Sequence, residues 1–212
     1  MRFVAASLVL TIVASQSYAQ LSPASTFTIT NGQDTIAVER FSHGASSLTG
    51  DLRLGSARQA NHARYTIALR PDGSASRVEV NNDRPNFYTG LWVFDADAMR
   101  AARAEPANQG VTIRMAPPSS YPTIGTSLAM MEQLMRATHP AIGDSVRIEV
   151  INIRNGFDAP LMLKRTTADS ALIVCDGCMQ MGVREEIHVA VSTRGDILGG
   201  SNPSLNWTIT RR

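Results

Sequence analysis

The chain lacks several features that would announce a function directly. Its 212 residues contain two cysteines. With no second C-x-x-C and no paired-histidine motif, a closed four-ligand zinc site has too few ligands. Lysine occurs once, at Lys164, so arginine supplies the other basic residues. These are scattered, and the formal net charge is +2, which excludes an electrostatic footprint for nucleic acid. No glycine-rich phosphate loop follows a strand-like run, and no G-x-S-x-G elbow is present. Beyond residue 20 no apolar run is long enough to cross a bilayer.

The first twenty residues, MRFVAASLVLTIVASQSYAQ, read as an export signal. Arg2 gives the positive start, Phe3 to Val13 the apolar core, and Ser17-Tyr18-Ala19 the small residues before a cut at Gln20. The expectation is a signal peptide over 1–19 and a single β-rich domain over 20–212, periplasmic or extracellular. No cysteine follows the apolar run, so lipid anchoring is not expected. With 43% hydrophobic and 18% charged residues, the mature chain can bury one substantial core.

Apolar residues alternate with polar ones in many short runs. Tyr65, Ile67 and Leu69 form one, Val146, Ile148 and Val150 another, Ile187, Val189 and Val191 a third. Others lie at 27–30, 78–80, 111–115 and 205–209. Period two with one wetter face indicates antiparallel strands. Asn31-Gly32, Asp72-Gly73, Asn155-Gly156 and Asp176-Gly177 read as hairpin turns, with Gly195-Asp196 a fifth. Two segments break the rhythm. The alanine-rich stretch 97–105 reads as a short helix capped by Asp95 or Asp97. Ser127 to Thr138 reads as a second, capped by Thr126 or Ser127. The fold class is thus mainly β (α+β): one curved antiparallel sheet or half-barrel with one or two short helices packed on it.

Cys175-Asp176-Gly177-Cys178 holds both thiols. A redox motif would need a helix after the cysteine, and none is signalled. A soft-metal site could recruit His188, Met179 and Met181. The third reading is a local disulfide between Cys175 and Cys178 across a two-residue turn, permitted by an oxidising compartment, or two merely adjacent thiols; it is the expected one, and no metal or cofactor is expected. His43 with Ser46, Ser47 and Asp51 carries the residue types of a hydrolase triad, but reads more simply as a solvated loop. Met130, Met131, Leu134 and Met135 lie in the better helix; methionines adapt to irregular apolar partners, and the four are candidates to line a pocket under it.

A signal peptide, about 190 residues of antiparallel strands, and a Met-rich helix between two β-rich halves resemble in layout the bacterial lipoprotein-carrier (LolA-like) half-barrels. The resemblance implies helices held against the concave side of a curved sheet, sheltering acyl chains. The expected function is an exported, non-enzymatic carrier or binding module for a lipophilic or amphipathic ligand. The alternatives are a secreted hydrolase using His43 and nearby serines, and a metal-handling protein using the C-x-x-C.

Overall fold

The computed structural model describes residues 24–55, 61–83, 89–94, 98–104, 109–115, 120–125, 127–153, 158–176 and 184–212. The segment read as a signal peptide lies outside them.

The first eight strands of the described residues are β1 (Ser25–Asn31), β2 (Asp34–His43), β3 (Ser47–Leu54), β4 (Asn61–Leu69), β5 (Ala75–Asn82), β6 (Thr89–Phe94), β7 (Ala98–Ala104) and β8 (Gln109–Met115). The short β9 (Tyr121–Thr123) leads into α1 (Leu128–Thr138). Then come β10 (Ser145–Asn152), β11 (Asp158–Arg165), β12 (Ser170–Asp176), β13 (Arg184–Val191), β14 (Ile197–Asn202), a 3-10 turn at Pro203–Leu205, and β15 (Trp207–Arg211). All the strands join one open sheet in the order β8-β7-β6-β5-β4-β3-β2-β1-β15-β14-β13-β12-β11-β10-β9. Two meanders therefore run outward from one seam, the β1–β15 pair. Every pairing is antiparallel except β9 with β10, which is parallel.

The sheet must curl. Its edges, β8 and β9, are consecutive in sequence, and the six residue steps from Met115 to Tyr121 can span only about 20 Å. The Tyr121 hydroxyl donates to the Gly73 carbonyl at 2.5 Å, tying β9 to the β4–β5 turn of the opposite meander. Helix α1 occupies the hollow, and every residue from Leu128 to Met135 is buried. An isolated helix of this length is marginal in water. Burial of Met130, Met131, Leu134 and Met135, at about 1.5–3 kcal/mol each, supplies what propensity does not. Facing side chains come from both meanders, among them Phe27, Leu48 and Ile67 from one and Val150, Leu161 and Ile173 from the other.

Three expectations are corrected. Residues 98–104 form a strand, not a helix, because β7 is hydrogen-bonded between β6 and β8 along its length. Pairing on both sides overrides the helix preference of alanine. Asp176 does not open a two-residue turn: it is the last residue of β12 and pairs with Arg184. The register is set by Ala171, Ile173 and Cys175, buried in phase with Ile187 and Val189. His43 does not sit in a solvated loop; it ends β2, 7% exposed, and Ser47 begins the next strand.

Candidate functional site

Alternation along β2 turns Ala37, Glu39, Phe41 and His43 inward while Val38 faces outward, partly exposed. The inward face thus brings a carboxylate and an imidazole against α1. Glu39 lies at the start of the helix, where backbone N–H groups have no intrahelical partners. Its Oε2 accepts from the N–H groups of Leu128 at 2.8 Å and Ala129 at 3.0 Å. Its Oε1 accepts from the Ser127 hydroxyl at 2.5 Å and the Tyr65 hydroxyl at 2.6 Å. Ser127 in turn accepts from the Met130 N–H at 3.2 Å. The first turn of α1 carries no acid of its own, so the sheet supplies the negative charge that the positive end of the helix dipole favours. Burial nevertheless pushes the Glu39 carboxyl above its ordinary 4.5, against the opposing pull of these hydrogen bonds. Burial and the neighbouring Glu39 charge push the Tyr65 hydroxyl well above its ordinary 10.0.

One turn further along, Glu132 is fully buried and meets a different set of partners. His43 Nε2 lies 2.9 Å from its Oε1. Its Oε2 accepts from Arg211 Nη1 at 2.5 Å and from the Ile197 N–H at 2.7 Å. A carboxylate only accepts, so His43 donates through Nε2; its Nδ1 is buried without a hydrogen-bond partner among the described residues. The Arg211 guanidinium also lies 5.4 and 5.3 Å from the ring centres of Phe27 and Phe41, which stack at 4.9 Å. His43 meets Phe41 edge-on at 5.6 Å.

Beyond this ion pair a cavity of about 610 Å³ opens at the C-terminal end of α1. Phe41 and His43 form its wall, and Arg136, Arg194, Asp196 and Arg211 line it. His139, in the left-handed conformation that ends the helix, stands at the exposed side. The β13–β14 turn reaches this end of the helix at Gly195, whose positive φ and contact with the Met135 backbone, 3.0 Å from where a Cβ would sit, leave no room for a side chain. Asp196, 5% exposed, is gripped from two sides. Arg136 donates Nε and Nη2 to its Oδ1, the Nε bond at 2.8 Å. Arg194 donates Nε and Nη2 to its Oδ2 at 3.2 and 3.0 Å, and the Ser192 hydroxyl adds a third bond to Oδ2 at 2.9 Å. Burial alone would push the Asp196 carboxyl up; the hydrogen bonds from Arg136 and Ser192 and the two guanidinium charges outweigh it and hold the group below its ordinary 3.8.

The sequence-expected candidates fall elsewhere. Met130, Met131, Leu134 and Met135 are 0–4% exposed in the packed core, and none lines this cavity. His43 faces Glu132, while Ser47 precedes inward-facing Leu48 on β3 and so points to the other side of the sheet. Asp51 instead binds His62 Nε2 at 2.6 Å, and Asp83 binds His62 Nδ1 at 2.5 Å. Cys175 is buried at the end of β12, whereas His188 is exposed on the opposite face of β13, so these two cannot share a metal. Cys178, Met179 and Met181 lie outside the described residues. Sequence reading missed Glu39, Glu132, Asp196 and Arg211. Their one available signal was the in-phase placement of Glu39 and His43 with Ala37 and Phe41.

Fold and site together define an open, rolled β-sheet domain with a central helix and a charged cavity at one end of it. Two solved structures share the fold. One is a DUF1089 family protein from Pseudomonas aeruginosa, 15% identical, with a TM-score of 0.56 over 82% of this chain and 92% of that one. The other is a beta-barrel-like protein of domain of unknown function DUF1849 from Brucella abortus, 9% identical, with a TM-score of 0.51 over 92% of this chain and 96% of that one. At these identities the likeness is of fold alone. No family model matches the chain, and no curated protein sequence matches it significantly.

Proposed function

We propose that the protein is an exported, non-enzymatic binding module for an amphipathic ligand, with the cavity at the C-terminal end of α1 as its site. The observation that carries this reading is the cavity's composition. One aromatic side chain, Phe41, stacked on Phe27 and partly covered by Arg211, adjoins three guanidinium groups in a space of about 610 Å³, within the range of small-molecule sites. The ligand's apolar part lies against the aromatic wall and its head meets the arginines. The polar groups around the cavity are held by the fold before any ligand arrives, so little ordering cost opposes binding. The layout that resembles lipoprotein carriers supports the same class of function. It directs the ligand to a different place, because the methionine face of α1 is filled by the core.

The test is native mass spectrometry of the folded protein recovered after export, with solvent extraction of the same sample. A mature chain beginning at Gln20 and a stoichiometric bound amphiphile are expected. An unbound protein that also takes up no added alkyl amphiphile would overturn the reading.

A further inference from the structure

We infer that the cavity selects a phosphoryl head group, recognised by the unused edges of Arg136 and Arg194. This rests on the reading of the cavity as a ligand site and specifies the chemistry it accepts.

A guanidinium offers five N–H donors arranged as two forks. Arg136 and Arg194 each spend one fork, Nε with Nη2, on opposite oxygens of Asp196. Arg194 therefore keeps its end-on fork, formed by Nη1 and the second Nη2 hydrogen; Arg136 keeps its Nη1, its Nη2 lying 3.8 Å from Glu132 Oε1 as well. Neither Nη1 has a hydrogen-bond partner among the described residues, and both residues line the cavity. Arg211 differs: its Nη1 is committed to Glu132 and the Ile197 carbonyl, and its Nη2 to Ser25. Arg211 thus secures the wall while the other two face the ligand.

The charge balance agrees. Arg136, Arg194 and Arg211 oppose Asp196 and Glu132, three cations against two carboxylates, so one positive charge remains before His43 or His139 is counted. Asp196 fixes the two guanidinium planes, so they do not have to be ordered when the ligand binds. A carboxylate can take two guanidinium groups at once, as Asp196 does, but it brings only two oxygens and a single charge. A phosphate monoester, with three terminal oxygens and a larger charge, can accept from both. The arrangement therefore favours phosphoryl over carboxylate, and both over a neutral or cationic head.

The experiment is calorimetric titration of the folded mature protein with decyl phosphate, decanoate, decyl glucoside, decyltrimethylammonium and inorganic phosphate, each below its micelle concentration. Arg194→Ala is the companion variant: its side chain is 82% exposed, so the fold survives its loss. Decyl phosphate is expected to bind at least tenfold tighter than decyl glucoside, and Arg194→Ala to remove most of that preference. Equal binding of all the alkyl probes would keep the amphiphile site and overturn the phosphoryl preference, as would an unaffected preference in the variant. Inorganic phosphate bound without any gain from the alkyl chain would support the phosphoryl site and overturn the amphiphile reading. Binding of none of them would overturn both.

Discussion

Glu39 and Glu132 are both buried carboxylates pressed against one helix, 2% and 0% exposed, and they are accommodated by opposite means. Glu39 is surrounded by neutral donors: two hydroxyls and two backbone N–H groups at the helix start. Glu132 is held by Arg211, by a backbone N–H and by the His43 ring, with Arg136 3.8 Å away. The difference shows that burial alone does not set the cost of a charge. What matters is whether its partners would be stranded by its removal. Hydroxyls can reverse their hydrogen-bond polarity; a partly buried guanidinium such as that of Arg211 cannot discard its charge.

Breaking the Glu132 end should have the largest effect. Glu132→Ala leaves Arg211 without its counter-charge and is expected to cost about 3–5 kcal/mol, measured by urea unfolding; a loss under about 1 kcal/mol would put Glu132 in the class of exposed ion pairs. Next comes the spacing that lets Tyr65 reach Glu39. Gly50 pairs with Tyr65 across β3 and β4, and a Cβ there would sit 2.1 Å from the ring. Gly50→Ala should displace the ring and cost about 1–3 kcal/mol, with the tyrosine near-ultraviolet dichroism changing alongside.

The comparison sharpens most with Glu39→Gln. The amide oxygen can still accept from Leu128 and Ala129, and its NH₂ can donate to the two hydroxyls, so at neutral pH the change should stay within about 1 kcal/mol. The signature is in pH. Burial raises the Glu39 carboxyl above 4.5 in the fold, so between 4.5 and the raised value the native state holds more protons than the unfolded chain. Stability from this group falls as pH rises through that window and levels off above it. Glu39→Gln should remove that decline, whereas Glu132→Gln, stripped of its charge beside Arg211, should be destabilised at neutral pH. Matching pH profiles for the two amide variants would erase the distinction. The smallest effect belongs to the proposed Cys175–Cys178 bridge. It would close a loop of only two intervening residues, so reduction should shift the unfolding midpoint little. The denatured, unreduced chain should show no thiol to a colorimetric reagent; two titrating thiols would rule the bridge out.

The sheet was legible where each strand has one apolar face, as in Tyr65, Ile67 and Leu69 or Val146, Ile148 and Val150. It was illegible in β2, where the inward residues include Glu39 and His43 while Val38 faces outward, so hydrophobicity blurs the phase. In β7 an alanine-rich segment carries a helical preference that two neighbouring strands override. In β14 the pair Gly199-Gly200 has no side chains to alternate, and a Cβ on Gly200 would fall 2.2 Å from the His188 carbonyl. Helix α1 was placed correctly, with Ser127 as its cap, yet its enclosure on every side could not be read from spacing. The cavity was hidden for a different reason. Arg136, Asp196 and Arg211 are brought together across 60 and 15 residues of chain, by topology rather than by any local motif.

That topology has a consequence at its seam. The two meanders meet through β1 and β15, where Thr26 and Arg212 exchange backbone hydrogen bonds at 2.8 and 2.9 Å. A contact joining positions so distant along the polymer carries a large loop-closure entropy and forms late. The floor under Phe27, Phe41 and Arg211 exists only once the ends have found each other. A chain threaded outward in extended form would therefore have no finished cavity until its C-terminal ribbon had also emerged.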